Sequence, residues 1–340
     1  MEDWEIDMFS PEDAAGVVEL YRAVYGENYP IKTVYDSAEY IRQSQGDAYR
    51  VVARTQSGKV IGMVAFFSSS PPNRELYEHG QLMVRPDYRK SRISLQLCKY
   101  ALEKIPVQHA METVWLEAVS NHIFSQKVGL QQGFCETGME IDLMPGNASA
   151  SSLKNSPEVA TRVSALLLFR TYKPKPQTIY VPSVYEKVLP FLYEGPDYGH
   201  AFMRGVGDLP QDVVTVGKCD LFVSAGVARI TFIEIGADFA ACLDKMEQET
   251  SVDGIVVKQV FFRLTQPWTG AVVNVLRQRG YFISGCLPRW FDEDGCLMQK
   301  IVGTPNFDGI LLYTKRSERI LELVKQDWKE VKDNGGNTTI

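Results

Sequence analysis

"VRPDYRKSRISLQL", residues 84–97, decides how the chain is read. Val84 ends an apolar segment, and Pro86 stops it because proline cannot donate to a strand ladder. A tight basic loop follows, Arg89-Lys90-Ser91-Arg92, and then Ile93, Leu97, Ala101 and Ile105 fall on one helical stripe flanked by Cys98 and Leu102. Strand, basic loop, helix is an arrangement that cradles phosphate. The head of a helix presents unpaired N–H groups and the positive end of its dipole. Glycines in such a loop let the backbone approach the anion closely. Arg92 and Ser94 stand there instead, and Arg92 supplies a charge that can pair with phosphate directly. The competing reading is a solvated basic turn.

Upstream, Ser10, Pro11 and Asp13 form a helix-start signature, and Val17, Leu20, Tyr21 and Val24 give one apolar face. YRVVAR (49–54) and VIGMVAFFS (60–68) read as strands joined through TQSGK as a hairpin. Downstream, TVWLEAV (113–119) is a strand, NHIFSQKVGLQQ (121–132) a helix, and GFCETGMEIDLMP (133–145) a turn and strand. The polar stretch 146–158 reads as a flexible loop, and RVSALLLFRTY (162–172) as a strand. KPKP (173–176) permits neither helix nor central strand and is the expected joint between two domains. Beyond it, strands are expected near 179–182, 213–223, 227–235 and 257–264, with helices near 185–193, 238–249, 270–280 and 318–331. YFISGCLPRWF, CLMQKI and GILLYT are expected to give further strands or strand-like ends. WLEAV, helix, Gly133-Phe134 is echoed by VFFRL, helix, Gly280-Tyr281, which suggests one α/β plan used twice; the competing reading is that glycine commonly ends helices.

The chain has 340 residues, enough for two domains, and its 45% apolar and 23% charged residues are those of a folded globular protein. A net charge of -6 argues against a nucleic-acid partner. The acidic start MEDWEIDMF lacks the features of a secretory signal, and no apolar run reaches membrane-span length, so no membrane partner and a cytoplasmic location are expected. Six cysteines without CxxC spacing fit a reducing compartment, and Asn147 and Asn337 match a glycosylation pattern by chance. Four scattered histidines give no metal-ligand spacing, and neither a GxSxG elbow nor a Walker loop is present.

The strand ending at Met83-Val84, the run Arg89 to Ser94 with its helix, WLEAVSNH, and the helix closing at Gly133-Phe134 together resemble the GNAT acyltransferases. The whole chain is most similar to bacterial tandem members with paired Tyr25-Gly26 and Tyr29-Pro30 and an AVSNHIFSQK segment, a group without an assigned substrate. The implied fold is α/β (α+β): two tandem GNAT-like domains, residues 1–173 and 174–340, each a mixed, mostly antiparallel sheet flanked by helices. The second copy is degenerate, because IGAD replaces the phosphate loop there.

The implied activity is transfer of an acetyl or short acyl group from acetyl-CoA, or another acyl-CoA co-substrate, to a primary amine of a small molecule or protein. The coenzyme's pyrophosphate would sit on the backbone of Arg89, Lys90, Ser91, Arg92, Ile93 and Ser94. Its pantetheine arm would lie beside Met83 and Val84, where one N–H would also stabilise the oxyanion. Alkylammonium groups titrate near pH ~10.4, so the acceptor needs a base. Glu78, where some family members carry a carboxylate, is the first candidate and His79 the second; the alternative is that both merely start a surface strand. The tyrosine that often protonates the leaving thiolate falls at Gly129, so His122 is the substitute acid or a coenzyme contact, against the reading of a solvated helix-start histidine. The second domain would be a lid, a pocket wall or a dimer surface, which makes a homodimer one expectation. Two rival functions are an acyl-CoA-binding regulator without turnover, and an aminoacyl or long-chain acyl transferase with a longer groove.

Overall fold

β-branched and aromatic runs can pair only with other strands, whereas the 3.6-residue stripes need a sheet face to cover. In the computed structural model, which describes residues 3–146 apart from 28, 30, 47 and 90, and residues 162–335 apart from 252, both demands are met by one sheet. Lys90, Pro30, Asn147, Asn337 and all of the polar stretch 146–158 except Gly146 lie outside the described residues.

The first half contains β1 (Trp4–Met8), α1 (Ala14–Tyr25), α2 (Ser37–Ser44), β2 (Ala48–Thr55), β3 (Val60–Ser68), β4 (Tyr77–Val84), α3 (Ile93–Gln108), β5 (Thr113–Val119), α4 (Phe124–Gln131), β6 (Cys135–Pro145) and β7 (Arg162–Thr171). The second half contains β8 (Thr178–Val181), α5 (Val188–Leu192), β9 (Ala201–Arg204), β10 (Val216–Phe222), β11 (Val227–Glu234), α6 (Phe239–Glu249), β12 (Val257–Arg263), α7 (Thr269–Gln278), β13 (Phe282–Leu287), β14 (Gly295–Ile301) and α8 (Lys315–Gly335). No described helix is long and apolar enough to cross a membrane.

Among the described residues, twelve strands form a continuous sheet in the order β1-β2-β3-β4-β5-β7-β6-β13-β14-β12-β11-β10. Its two wings follow one plan. β3 and β4 are antiparallel, β4 and β5 parallel, and β5, β7 and β6 antiparallel. In the other wing β10 and β11 are antiparallel, β11 and β12 parallel, and β12, β14 and β13 antiparallel. The wings join where β6 meets β13 antiparallel at Gly138 and Gly285. Each glycine lies five residues after the glycine–aromatic pair begins, at Gly133 and at Gly280, so an approximate two-fold axis passes through the crossing. A Cβ on Gly138 would lie 2.6 Å from the Gly285 Cα, and one on Gly285 would lie 2.4 Å from the Gly138 Cα. The strands approach this closely because neither residue has a side chain.

The sheet curls strongly. Five strands separate β5 from β11 in the sheet order, which would be about 30 Å across a flat sheet at ~4.8 Å per strand. Yet Arg229 on β11 bonds Glu117 on β5 at 3.1 Å. The concave face is filled by Trp115, Phe169, Phe261 and Trp290, with the Trp290 ring stacked on Phe261 at 5.2 Å and edge-on to Trp115 at 5.0 Å. The same face carries α1 at its β2–β4 end, closed by Val17, Leu20, Tyr21 and Tyr40. The convex face is covered by α3 and by the later helices through Ile93, Leu97, Phe239, Val272 and Ile320.

Residues 309–314, expected to be strand-like, form no strand. Their polar backbone is satisfied elsewhere: Leu311 N donates to Ser120 O at 2.7 Å, and Tyr313 N to Gln126 Oε1 at 3.1 Å. β1, α2 and β9 were not foreseen; they are short, and α2 starts on the Asp36 carboxylate, which accepts from Ala38 N and Glu39 N.

Candidate active site

β4 and β5 are parallel neighbours only at Tyr77–Val114 and Glu78–Trp115. Beyond Glu78 they part. The cause lies in β4, which inserts an extra residue opposite β3: Ala65 faces Gly80, Met63 faces Met83, and Gln81 adopts a φ of 53°. Such a bulge bends its strand away from its neighbour. The result is a gap with Glu78 at its apex and the exit of β4 at its wide end. Met83 and Val84 pair with Met63 and Gly62 of β3 and have no pairing toward β5.

At the wide end the chain turns through Pro86–Tyr88 into α3. Arg89 N donates to Pro86 O at 3.3 Å, Ser91 N to Tyr88 O at 3.1 Å, and Ile93 N to Ser91 Oγ at 3.4 Å. No described residue accepts from the amides of Arg92, Ser94 or Leu95, and no side chain caps the helix. Arg92 is exposed and Ser94 half-buried, so the head of α3 is open. Arg85, which the sequence reading passed over, follows Val84 at the exit of β4 and has a buried Nε without a partner. Open amides, an orphaned guanidinium nitrogen and a cationic loop fit a diphosphate.

Glu78 lies on the concave face, and its Oε1 sits 3.2 Å from where a Cβ on Gly80 would be, so the missing side chain lets the carboxylate lie along β4 toward the gap. Burial, then the charge of Glu117, pushes the Glu78 carboxyl up to about 8 against the opposing effects of Ser69 and Arg229. The rings of Tyr21, Tyr25 and Tyr29 pack beside it, with Tyr29 centred 4.9 Å from each of the other two. Burial above all, then the neighbouring Tyr25 and Glu78, raises the Tyr29 hydroxyl.

His79 points to the other face, between Phe66 and Phe134 at 4.7 and 5.9 Å, and burial pushes its imidazole down to about 3. It is a core histidine on the side of the sheet away from Glu78. His122 accepts from Phe124 N on Nδ1 at 3.3 Å and its carbonyl accepts from Gln126, so it serves the start of α4. Seven residues separate it from Trp115, the register partner of Glu78, or up to about 23 Å of extended chain. β5 runs on from Trp115 to Val119, and His122 follows beyond its end, on the side where β4 and β5 are no longer paired. Gly129 is packed on the sheet, where a Cβ would lie 3.3 Å from Leu116, and that position offers no hydroxyl.

Glu117, Glu140 and Arg229 were also missed. A charged residue inside an apolar strand, as in WLEAV, GMEIDL and VARITF, was the available signal.

The second wing shows what a closed version looks like. β11 and β12 pair from Val227–Val257 to Thr231–Phe261 and then part around a hollow of about 130 Å³ lined by Pro210, Ile235, Arg263 and Trp268. Arg263 straps this gap by donating to Ile233 O. Before α6, Ala237 N donates to Pro210 O at 2.8 Å and Gly236 N to Thr215 Oγ1 at 3.0 Å. The Asp238 carboxylate accepts from Thr215 N and Oγ1, which hold it below the usual range. The amides of Gly236, Ala237 and Phe239 are taken, and Asp238 sets a negative charge at the head of α6, which disfavours an anion there.

A parted parallel pair with an open helix head at its wide end is a geometry that suits a diphosphate-bearing ligand. Residues 14–134 match the model of the acetyltransferase (GNAT) family. No curated protein matches the chain. Among solved structures, it is similar to the ribosomal-protein-S18-alanine N-acetyltransferase from Escherichia coli, at 13% identity over 51% of this chain and 96% of that one, TM-score 0.39. It is also similar to spermidine N-acetyltransferase from Vibrio cholerae, at 13% identity over 49% of this chain and 93% of that one, TM-score 0.39.

Proposed function

We propose that the chain transfers an acetyl or other short acyl group from coenzyme A to a primary amine, with residues 1–173 as the coenzyme-binding domain and 174–340 as its degenerate partner. The observation that carries this reading is the gap between β4 and β5, with open amides at its wide end and a carboxyl at its apex. The open amides of Arg92 and Ser94 would hold the pyrophosphate, with the charges of Arg89 and Arg92 beside them, whereas the amides of Arg89, Ser91 and Ile93 already donate within the loop. The unpaired edge of Met83 and Val84 would bond the pantetheine amides and offer an N–H to the oxyanion.

Glu78 is the base. Its carboxyl, held at about 8, suits a group that must accept a proton from an ammonium near neutral pH. Nitrogen attack on the thioester carbon then breaks the C–S bond, and the thiolate leaves without a dedicated acid, consistent with Gly129. His122 belongs to the coenzyme end. The tyrosines beside Glu78 form an aromatic wall for the acceptor, and aromatic faces next to carboxylates favour a cation.

The test is calorimetric titration with acetyl-CoA, followed by thiol-release assays on a panel of small amines and amine-terminal peptides. One coenzyme per chain and turnover on at least one amine are expected. Two coenzymes per chain would contradict the closed second wing. Binding without turnover on any amine would favour an acyl-CoA-binding regulator.

A further inference from the structure

The side chain that crosses most boundaries in this molecule is Arg229. It rises from the middle of β11 in the second half, is 11% exposed, and ends among residues of the first half. Its Nε donates to Gln259 Oε1 at 2.9 Å, and its Nη1 to Ser70 Oγ in the loop between β3 and β4. Its Nη2 is shared between Glu117 Oε1 on β5 and Glu140 Oε1 on β6, each at 3.1 Å. Gln259 closes the ring by donating to Glu140 Oε1 at 2.7 Å. The Phe222 ring covers the guanidinium at 5.4 Å.

Three carboxyls, Glu78, Glu117 and Glu140, therefore share the concave face with one cation. One positive charge cannot balance three negative ones where Glu140 is buried and Glu78 and Glu117 are half-buried, so protons must stay in the cluster. One feature of the geometry agrees. Glu140 Oε2 is buried without a hydrogen-bond partner, as suits a carboxyl that keeps its proton. Burial, then Glu117, pushes the Glu140 carboxyl up to about 8, as it does for Glu78. The groups facing Glu78 from the packed elements are Glu117, Arg229, the Ser69 hydroxyl and the Tyr29 hydroxyl.

We propose that Arg229, supplied by the second half of the chain, is a positioning residue of the amine site: it clamps Glu117 and Glu140 beside the apex of the gap and sets the charge that Glu78 feels. The second half is thus a working part of the site. The catalytic consequence rests on Glu78 being the base; the charge coupling itself does not.

The coupling is read without coenzyme or acceptor, by infrared titration of protonated carboxyl bands between about pH 5 and 10, near and above the raised carboxyls. Glu78→Gln identifies the Glu78 band. Arg229→Met should move its midpoint up by about one pH unit or more, as expected for a cation removed from a buried neighbour. Arg229→Lys should stay near the wild type, and Glu117→Gln should move the midpoint down. A merely structural arginine would not give opposite shifts from these replacements. Should Arg229→Met fail to fold, Arg229→Gln, which keeps hydrogen bonds but no charge, carries the same expectation. A midpoint unmoved by loss of the arginine charge, or moved the same way by Glu117→Gln, would overturn the proposal. A fully active Glu78→Gln enzyme would instead remove the base reading while leaving the coupling in place.

Discussion

Gly138→Ala tests the join between the two wings. The new Cβ would lie 2.6 Å from both Gly285 Cα and Ser284 O, whereas carbons rest at about 3.5–4 Å. Both obstacles are backbone, so no side chain can swing away. The strands must separate by about 1 Å, and β6 and β13 touch in register at that one pair. Overpacking of this kind costs about 1–3 kcal/mol, and a loosened backbone bond adds about 1 kcal/mol. The expected loss is about 2–4 kcal/mol, or about 1 M in the urea midpoint for a slope of about 3 kcal/mol/M. Gly285→Ala should cost a similar amount, since its Cβ would meet Gly138 Cα at 2.4 Å. Neither glycine has a positive φ, so the cost is contact and not backbone strain. One separation relieves both clashes, so the double variant should lose clearly less than the sum of the singles, by on the order of 1–2 kcal/mol. Urea unfolding followed by tryptophan fluorescence suffices. An unchanged midpoint in either single variant, or a strictly additive double variant, would refute the account of the crossing.

Ser94→Glu should weaken acetyl-CoA binding by about tenfold or more, because it sets a negative charge among the open amides of α3; calorimetry showing unchanged affinity would count against that seat. Glu78→Gln should lower kcat/KM by ~10²–10⁴ with coenzyme affinity kept, and wild-type activity should climb as pH rises through about 8, where Glu78 ionises. Stability should run the other way. Glu78 and Glu140 keep protons up to about 8 in the folded chain, whereas unfolded glutamates release them near pH ~4.3. The folded state binds more protons across that window, so stability falls as pH rises through it; Glu140→Gln should flatten the fall in urea midpoints measured from pH 5 to 8.

Much of the fold can be read from local patterns. The strand, basic loop and helix around residues 84–97 appear where the periodicity puts them, as do the hairpin turning through TQSGK and the glycine–aromatic echo at 133 and 280. These depend on neighbours along the chain. The bulge at Gln81, by contrast, depends on how β4 registers against β3, and no single strand states it. The charged ring at the apex is harder still: Glu117 and Arg229 lie 112 positions apart and meet only because the sheet curls. GILLYT misleads for the opposite reason. Its composition suits a strand, but its amides go to Ser120 O and the Gln126 side chain.

The segment that closes the second wing has a thermal consequence. A gap already strapped across by the Arg263 side chain gains little from the coenzyme. The open cleft in the first wing gains support whenever its carrier arrives. Heating the chain with saturating coenzyme should therefore delay melting around α3 while leaving α6 to soften at its former temperature, a lopsided response that hydrogen exchange resolved by peptide would record.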